Sequence, residues 1–354
     1  MKLSDLCNVY SGYALKNFNS NGIGVPVIKI GNINSVGNLD LNNCQYTTDE
    51  VNEKYFSKYG DIYVALSGAT TGKTGIMVSN EKYIINQRVG IIRCIDTISY
   101  EFIKYFLIYK TDEILAEASG CAQPNISPKQ IAVYEVPNYS IEKMCVIANK
   151  LNRIKSIINK RQQELDKLDE LVKARFVEMF GDVVSNTKNW KTYTWNDVLV
   201  IKNGKNQKNV ENNKGIYPIC GSGGIMSYAD DYITESNSVI IGRKGNINNP
   251  ILMREKFWNV DTAFGLEPNT TILNVDYLFM FCSFFDFEVL NKAVTIPSLT
   301  KADLLKIIIP IPPIKLQNQF ATFVKQIDKS KVAVQKALDE AQLLFDSLMQ
   351  EYFG

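Results

Sequence analysis

Apolar residues recur at alternating steps of four and three between residues 141 and 179, which is the spacing of a heptad seam on one long helix. No glycine or proline interrupts this run. A second run with the same spacing extends from about residue 314 to residue 352. The predicted helix-pair seam consists of Ile147, Leu151, Ile154, Ile158, Leu165, Leu168 and Val172 in the first run, and of Phe320, Val324, Ile327, Val334, Leu338, Phe345 and Leu348 in the second.

Each predicted helix needs a partner, because a narrow apolar stripe on a helix roughly 57 Å long is not covered by the helix itself. We expect the two helices to pair with each other in antiparallel orientation. The alternative is that each helix packs on its own globular domain. Charged residues occupy three seam positions, Arg161, Arg175 and Lys331, which fits selection of one antiparallel register or the presence of a third partner.

The second run belongs to a longer repeat, since residues 124–181 reappear at residues 297–354 with a constant shift of 173 positions. The matched residues include Pro124 with Pro297, Pro137 with Pro310 and Gly181 with Gly354. The repeat predicts two globular domains and two helical spacers, with the bounds 1–137, 138–181, 182–313 and 314–354. A chain that carries one unit twice favours a target with two parts.

The two globular domains are predicted to be rich in β-structure. Short apolar runs next to glycine and asparagine turns predict strands at 60–68, 83–86, 89–92 and 238–245. One helix is expected in each domain, near 99–117 and 275–291. The predicted fold class is therefore α+β, with two β-rich domains separated by two long antiparallel coiled-coil helices in a pseudo-twofold tandem repeat.

Composition excludes several kinds of chemistry. The chain has no histidine, and its seven scattered cysteines contain no Cys-x-x-Cys pair. Imidazole bases, serine–histidine triads and ordinary zinc fingers are therefore excluded, and we expect neither a metal site nor a disulfide framework. No uncharged apolar stretch of about 18 residues occurs, so we expect no membrane span, and a reducing cytoplasm is the expected setting.

Four motifs stand out along the chain: GDIYVALSG at 60–68, QPNIS at 123–127, RFVEMFG at 175–181 and IPIPP at 309–313. Their ordered set resembles the specificity subunit of Type I restriction-modification systems. The likeness covers the whole chain in the order variable domain, helix, variable domain, helix. Two departures are Asn138-Tyr139-Ser140, which replaces a proline-rich run, and Ser298, which stands at the repeat position of Asn125.

The resemblance implies two target recognition domains, each of which reads one half of a split, asymmetric sequence in double-stranded DNA. It also implies that the paired helices set the gap between the half-sites and dock two modification subunits. These subunits carry S-adenosylmethionine and methylate adenine, and restriction subunits join them and use ATP with Mg²⁺. The specificity subunit itself would bind no cofactor and have no catalytic site.

Loops rich in Asn, Gln, Lys, Arg, Ser and Thr are candidates for DNA contact, because these side chains suit phosphates and base edges. The alternative is that they are ordinary solvated turns. The candidates in the first domain are Lys16, Asn17, Lys29, Asn32, Asn34, Ser67, Thr70, Thr71, Lys73, Gln87 and Arg88. Those in the second domain are Lys202, Asn203, Lys205, Asn206, Gln207, Lys208, Arg243, Lys244 and Asn246.

Two other functions stay open at this point. Because the net charge is only +2, the chain could instead be a protein–protein scaffold whose two β-rich modules bind peptides or sugars. The segment 68–74 ends like a nucleotide-binding P-loop, which would make Lys73 a phosphate ligand. Ser67 occupies the position where that motif requires its first glycine, and the following residues favour a strand over the required helix.

Overall fold

The structure is a computed structural model that describes residues 1–34, 37–95, 98–118, 124–293 and 295–354. It divides into two compact units. The first unit contains Met1–Lys160 and Ala337–Gly354, and the second contains Arg161–Lys336. No helix in the described ranges is both long enough and apolar enough to cross a bilayer.

The first domain is built on two small sheets. One has four antiparallel strands in the order β1-β7-β4-β5, and the other has the order β3-β2-β6, with β2 antiparallel to β3 and parallel to β6. The elements are β1 (Cys7–Ser11), β2 (Val25–Ile28), β3 (Gln45–Thr47), β4 (Ile62–Ala65), β5 (Thr74–Ile76), β6 (Ile84–Ile85), β7 (Val89–Cys94), α1 (Tyr100–Tyr109), α2 (Thr111–Ala118) and α3 (Pro128–Ala132).

The second domain repeats this topology. Its four-stranded sheet has the order β9-β15-β12-β13, and its three-stranded sheet has the order β11-β10-β14, again with one antiparallel and one parallel pairing. A further pair, β8 with β16, is antiparallel. The elements are β8 (Thr192–Thr194), α5 (Trp195–Val198), β9 (Leu199–Asn203), β10 (Tyr217–Gly221), β11 (Gly224–Ala229), β12 (Ser238–Gly242), β13 (Ile251–Met253), β14 (Trp258–Asn259), β15 (Ala263–Pro268), α6 (Val275–Phe284), α7 (Lys301–Leu304) and β16 (Ile308–Pro310).

The domain helices are shorter than their apolar patterns predict. The pattern at 99–117 divides at Lys110 into α1 and α2. Helix α6 ends at Phe284 rather than near 291, because the Asp286 carboxylate accepts a hydrogen bond from the Glu288 N–H at 3.0 Å and starts a separate turn.

The long helices are α4 (Ile141–Phe180) and α8 (Ile314–Phe353), each of 40 residues. Helix α8 begins directly after Pro313. Helix α4 ends at Phe180 and is followed by Gly181, whose φ of +74° is the left-handed conformation of a helix C-cap and whose N–H donates to the Val177 carbonyl at 2.8 Å. The mixed helix-and-sheet class, the tandem repeat and the two long helices are confirmed.

The long helices pack in antiparallel orientation within each unit. In the first unit, Lys150 of α4 contacts Tyr352 of α8, whereas the later Lys155 lies over the earlier Phe345. In the second unit, Asp169 pairs with Lys331, whereas the later Phe176 contacts the earlier Phe320. Residue numbers therefore rise along α4 as they fall along α8.

The structure places the predicted seam residues at buried or half-buried positions. Leu165 and Leu168 are half-buried, and Val334 is buried. In the first unit one apolar cluster contains Ile147, Leu151, Ile154, Ile158, Leu338, Phe345 and Leu348. In the second unit one cluster contains Val172, Phe320, Val324 and Ile327.

The three charged seam residues behave differently from one another. Lys331 forms an ion pair with Asp169 on the other helix, which favours one antiparallel register. Arg161 and Arg175 instead pair with glutamates three residues further along α4, at 2.6 and 2.7 Å. Since such pairs at the surface contribute little to stability, the apolar seam rather than these ion pairs holds the helices together.

Two aromatic residues near the end of α4 are central to the second unit, although they lie outside the predicted seam. Phe176 and Phe180 are fully buried, and their ring centroids lie 5.0 Å apart. Phe176 also packs against Tyr277 at 5.4 Å and Phe320 at 5.3 Å. This cluster joins both long helices to α6.

We predict that Phe176→Ala lowers the free energy of unfolding of the second unit by about 3–5 kcal/mol, because the vacated volume is enclosed by rigid rings. Val177→Ala is the matched control, since Val177 is 45% exposed on the same helix turn, and we expect a change within about 0.5 kcal/mol. Urea unfolding of both variants measures the difference. Equal losses would contradict the assigned role of the cluster.

Candidate nucleic-acid interface

Loops from separate parts of the first domain meet around one cleft. Ser11 ends β1, Ser67 follows β4, and Gln87 and Arg88 precede β7. Asn125 approaches from the segment before α3 and forms an antiparallel bridge with Ser67. Together with neighbouring residues they line a cleft of about 790 Å³.

Backbone hydrogen bonds hold these loops together. The Leu66 N–H donates to the Arg88 carbonyl at 2.9 Å, and the Ile126 N–H donates to the Leu66 carbonyl at 2.9 Å. The Gly68 N–H donates to the Pro124 carbonyl at 3.1 Å. Because these bonds use only main-chain atoms, the frame of the cleft does not depend on which side chains it presents.

The side chains at the cleft are available to a ligand. Gln87, Arg88 and Asn125 are exposed, and the Arg88 guanidinium makes no hydrogen bond or ion pair with the residues that the structure describes. The hydroxyl oxygens of Ser67 and Thr70 have no partner there either, but they are buried and therefore not accessible to a ligand in this conformation.

The second domain has the same backbone frame with different side chains. The Arg243 N–H donates to the Thr262 carbonyl at 2.8 Å, which matches the bond from Leu66 to Arg88. The Leu299 N–H donates to the Arg243 carbonyl at 2.9 Å, and Lys244 bridges Ser298 as Ser67 bridges Asn125. Arg243, Lys244, Thr262 and Ser298 are therefore the counterparts of Leu66, Ser67, Arg88 and Asn125.

The arginine of this frame changes position between the two domains. In the first domain it is Arg88, on the turn before β7, and in the second domain Thr262 stands at that position. The second domain instead has Arg243 on the loop after β12, exposed and with its guanidinium carbon 5.8 Å from the Phe264 ring. The two surfaces thus share one backbone but differ in where they place positive charge.

Comparison with known proteins identifies the family of the two domains that contain this backbone frame. The family model described as Type I restriction modification DNA specificity domain matches residues 1–168 and 187–341. The chain belongs to this family. It carries the specificity domain twice, which confirms the resemblance found in the sequence. No curated protein matches the sequence.

Solved structures show the same fold. The S subunit of a Type I restriction-modification system from M. genitalium has a TM-score of 0.65 at 16% identity, with 100% of this chain and 95% of that chain covered. A second chain, from work on complex assembly and conformational transition of the type I R-M system, has a TM-score of 0.61 at 15% identity. That match covers 100% of this chain and 96% of the other chain.

Several candidate residues of the first specificity domain are engaged within the domain. The Lys16 N–H donates to the Asp49 carboxylate at 2.7 Å, and the Asn17 amide donates to it at 2.7 Å. These bonds, the one from the Lys16 backbone first, lower the pKa of Asp49. Lys29 pairs with Gln45 and lies 3.5 Å from the centre of the Phe18 ring.

Two further candidates of the first domain serve the loop framework. Asn32 is buried, accepts a hydrogen bond from the Lys29 N–H at 2.8 Å and donates to the Asp40 carbonyl at 2.9 Å. Asn34 is exposed and accepts from the Asn38 N–H at 3.2 Å. This geometry favours a structural role for Asn32.

The P-loop-like segment does not have the geometry of a nucleotide site. Thr71 is buried, and its hydroxyl donates to the Gly68 carbonyl at 2.7 Å. Lys73 is half-buried and leads directly into strand β5, whereas a phosphate-binding loop leads into a helix N-terminus. Gln123 of the QPNIS motif lies outside the described residues.

Candidates of the second specificity domain fall into two groups. Lys202 pairs with Glu267 at 3.4 Å, and the half-buried Gln207 accepts hydrogen bonds at its carbonyl from two following N–H groups at 2.9 Å. The remaining candidates have exposed side chains. They are Asn203, Lys205, Asn206, Lys208, Arg243, Lys244 and Asn246.

Sequence reasoning missed three residues of the shared frame as site candidates. They are Asn125, Thr262 and Ser298. The repeat of 124–127 at 297–300 was the available signal for Asn125 and Ser298. Nothing local marks Thr262, because it becomes equivalent to Arg88 only through a backbone hydrogen bond between distant strands.

We predict that Gly12→Ala lowers the free energy of unfolding of the first unit by about 1–3 kcal/mol. Gly12 lies beside the Gln87–Arg88 turn, and a Cβ atom there would meet the Ile85 and Asn86 carbonyl oxygens at 2.3 and 2.4 Å. Gly31→Ala is the matched control, because a Cβ atom at Gly31 has no such neighbour within 4 Å. Denaturant unfolding distinguishes the two, and an unchanged Gly12→Ala variant would contradict the close packing.

Proposed function

We propose that this chain is the DNA-specificity subunit of a Type I restriction-modification complex and that each specificity domain reads one half of a bipartite, asymmetric site. The observation that carries the proposal is the shared backbone frame with exchanged side chains. Two identical readers would suit a symmetric site, whereas Arg88 with Asn125 and Arg243 with Ser298 present different hydrogen-bonding groups. Different groups select different base sequences.

The exposed side chains of the first-domain cleft and of the equivalent surface in the second domain suit contacts with duplex DNA. Arginine can donate two hydrogen bonds to guanine, and glutamine or asparagine can pair with adenine. In the first domain Arg88, Gln87 and Asn125 provide these groups. In the second domain Arg243 and Lys244 provide cations, and Thr262 and Ser298 provide hydroxyls for base edges or phosphates.

The other predicted contacts remain part of the proposal. Lys73, Thr70 and Ser67 belong to the loop after β4, and Lys205, Asn206, Lys208 and Asn246 are on exposed loops of the second domain. The lysines among them supply local positive charge, which DNA binding needs because the chain as a whole carries only +2.

The long helices have a second role in the proposal. Each helix contributes one half to each unit, so the pair connects the two readers and sets the gap between the half-sites. The exposed faces of the helices dock two modification subunits, which use S-adenosylmethionine to methylate adenine, and restriction subunits, which use ATP with Mg²⁺, join this assembly. The specificity subunit contributes recognition and assembly in the cytoplasm and carries out no chemical step itself.

Binding to duplex DNA at increasing salt tests the proposal against the scaffold alternative. A DNA reader that neutralises several phosphates loses affinity steeply, in proportion to the number of phosphate contacts. A scaffold for peptides or sugars would show weak, salt-insensitive binding to DNA. The protein should be assembled with its modification subunits, and its site should first be found by mapping methylated adenines.

We predict that Arg88→Ala weakens recognition of one half-site and Arg243→Ala that of the other, each by about 1–3 kcal/mol. The readout is the affinity of the assembled complex for DNA with base changes confined to one half. Lys82→Ala and Lys214→Ala are controls that remove the same charge from exposed positions in the same domains. If either arginine variant weakens recognition of both half-sites equally, the domains are not independent readers.

We predict that inserting one heptad after Lys160 in α4 and one after Lys336 in α8 lengthens the gap of the methylated site. Seven residues add about 10 Å of helix, which is on the order of three base pairs. Sequencing of methylated adenines measures the gap. Insertion in α4 alone breaks the pairing of the seams and should abolish methylation. An unchanged gap after the double insertion would contradict the proposal that the helix pair sets the distance between the half-sites.

A further inference from the structure

Two cysteines of the first unit face each other across neighbouring strands. Cys7 at the start of β1 lies directly opposite Cys94 at the end of β7. The Cys7 thiol donates a hydrogen bond to the Cys94 sulfur, with 3.2 Å between the sulfur atoms. Because 87 positions separate them in sequence, no motif shows this pair.

The strand register puts the pair where a disulfide can form. The Ile95 N–H donates to the Leu6 carbonyl at 3.0 Å, so the adjacent residues Cys7 and Cys94 occupy a non-hydrogen-bonded position of the antiparallel ladder. At such positions the Cα atoms are only about 4.5 Å apart and the side chains are close. That separation lies within the range that disulfides span, so the bond requires no shift of register.

One of the two thiols is accessible. Cys7 is only 3% exposed, whereas Cys94 is half-buried and lines a cleft of about 480 Å³. Among the residues that the structure describes, the charged ones that line this cleft are Lys58, Arg93 and Asp61, of which Arg93 and Asp61 pair at 2.6 Å. Lys58 therefore adds a positive charge to the described lining, which favours an anionic reagent.

We propose that Cys7 and Cys94 form a redox-active dithiol that closes into a cross-strand disulfide by exchange with a small anionic disulfide such as oxidised glutathione. The Cys94 thiolate attacks one sulfur of the reagent and releases one reduced thiolate. Cys7 then gives up its proton to solvent, attacks the Cys94 sulfur of the mixed disulfide and releases the second thiolate. The two protein thiols are oxidised, and one molecule of the reagent is reduced to two thiols.

The order of the two steps follows from the surroundings of each sulfur. The hydrogen bond to Cys94 and then burial raise the pKa of the Cys7 thiol. Cys7 is thus the poorer entering nucleophile, and it is shielded from reagents in solution. It acts only after Cys94 has reacted, when the sulfur that it attacks lies beside it.

The disulfide would stabilise the first unit without changing its recognition surface. The bond closes a loop of roughly 90 residues, and such a long loop gives a large loss of entropy in the unfolded chain. Along β1, Cys7 and the cleft residue Ser11 are separated by about 13 Å at the rise of an extended strand. The crosslink therefore fixes β1 to β7 at the end remote from Arg88.

The test is to incubate the reduced full-length protein with oxidised glutathione and map its peptides without reduction. We expect loss of the Cys7 and Cys94 thiols, a linked peptide pair containing these two residues, and a rise in melting temperature of roughly 5–10 °C. The Cys7→Ala variant should instead accumulate glutathione on Cys94. The Cys94→Ala variant should leave Cys7 unmodified.

Cys145→Ser is the matched control, because Cys145 is an exposed cysteine on α4. This variant should form the linked peptide as the unaltered protein does. If the unaltered protein takes up glutathione at Cys145 but yields no Cys7–Cys94 peptide, the proposal is overturned. That outcome would be visible in the unaltered protein even if the Cys7→Ala variant failed to fold.

Discussion

The structure depends on the burial of two long apolar seams that no single helix can cover. In each unit, half of α4 packs with the opposite half of α8, and a helix of the specificity domain completes the contact. In the first unit α1 supplies Tyr105, whose hydroxyl donates to Asn152 at 2.7 Å and whose ring lies 5.9 Å from that of Phe345. In the second unit α6 supplies Tyr277, which lies 4.9 Å from Phe180. The long helices therefore pair with each other and also pack against the globular domains, so both arrangements considered from the sequence are present.

In each specificity domain, main-chain atoms hold the loops in place and side chains form the exposed surface. The loops are held by main-chain hydrogen bonds, such as those from Leu66 to Arg88 and from Arg243 to Thr262, which any side chain permits. Glycine is required where main chains approach closely, as at Gly12 and Gly204. Side chains on this frame can change without loss of the fold. This freedom explains how one architecture can present an arginine on different loops of its two copies.

Local periodicity made the long helices, the repeat and the fold class predictable from the sequence. The site was less predictable because its residues become neighbours only through long-range pairing. The shift between equivalent residues is 192 at Gly12 and Gly204, 177 at Leu66 and Arg243, and 173 at Pro124 and Pro297. A repeat search with one fixed shift therefore finds the last pair and misses the others. Asn32 shows the opposite problem, since its loop looks polar in sequence although its side chain is buried and fully bonded.

The small net charge of +2 is compatible with the proposed function and bears on its specificity. A domain with few free cations binds DNA weakly by itself, and its affinity falls quickly with salt. Under the proposed function, two such domains in one chain engage the same DNA molecule, and the first contact raises the effective concentration of the second. Tight binding then requires both half-sites at the correct separation. A strongly basic chain would bind any DNA through one domain, so modest charge in each reader favours recognition of the complete bipartite site.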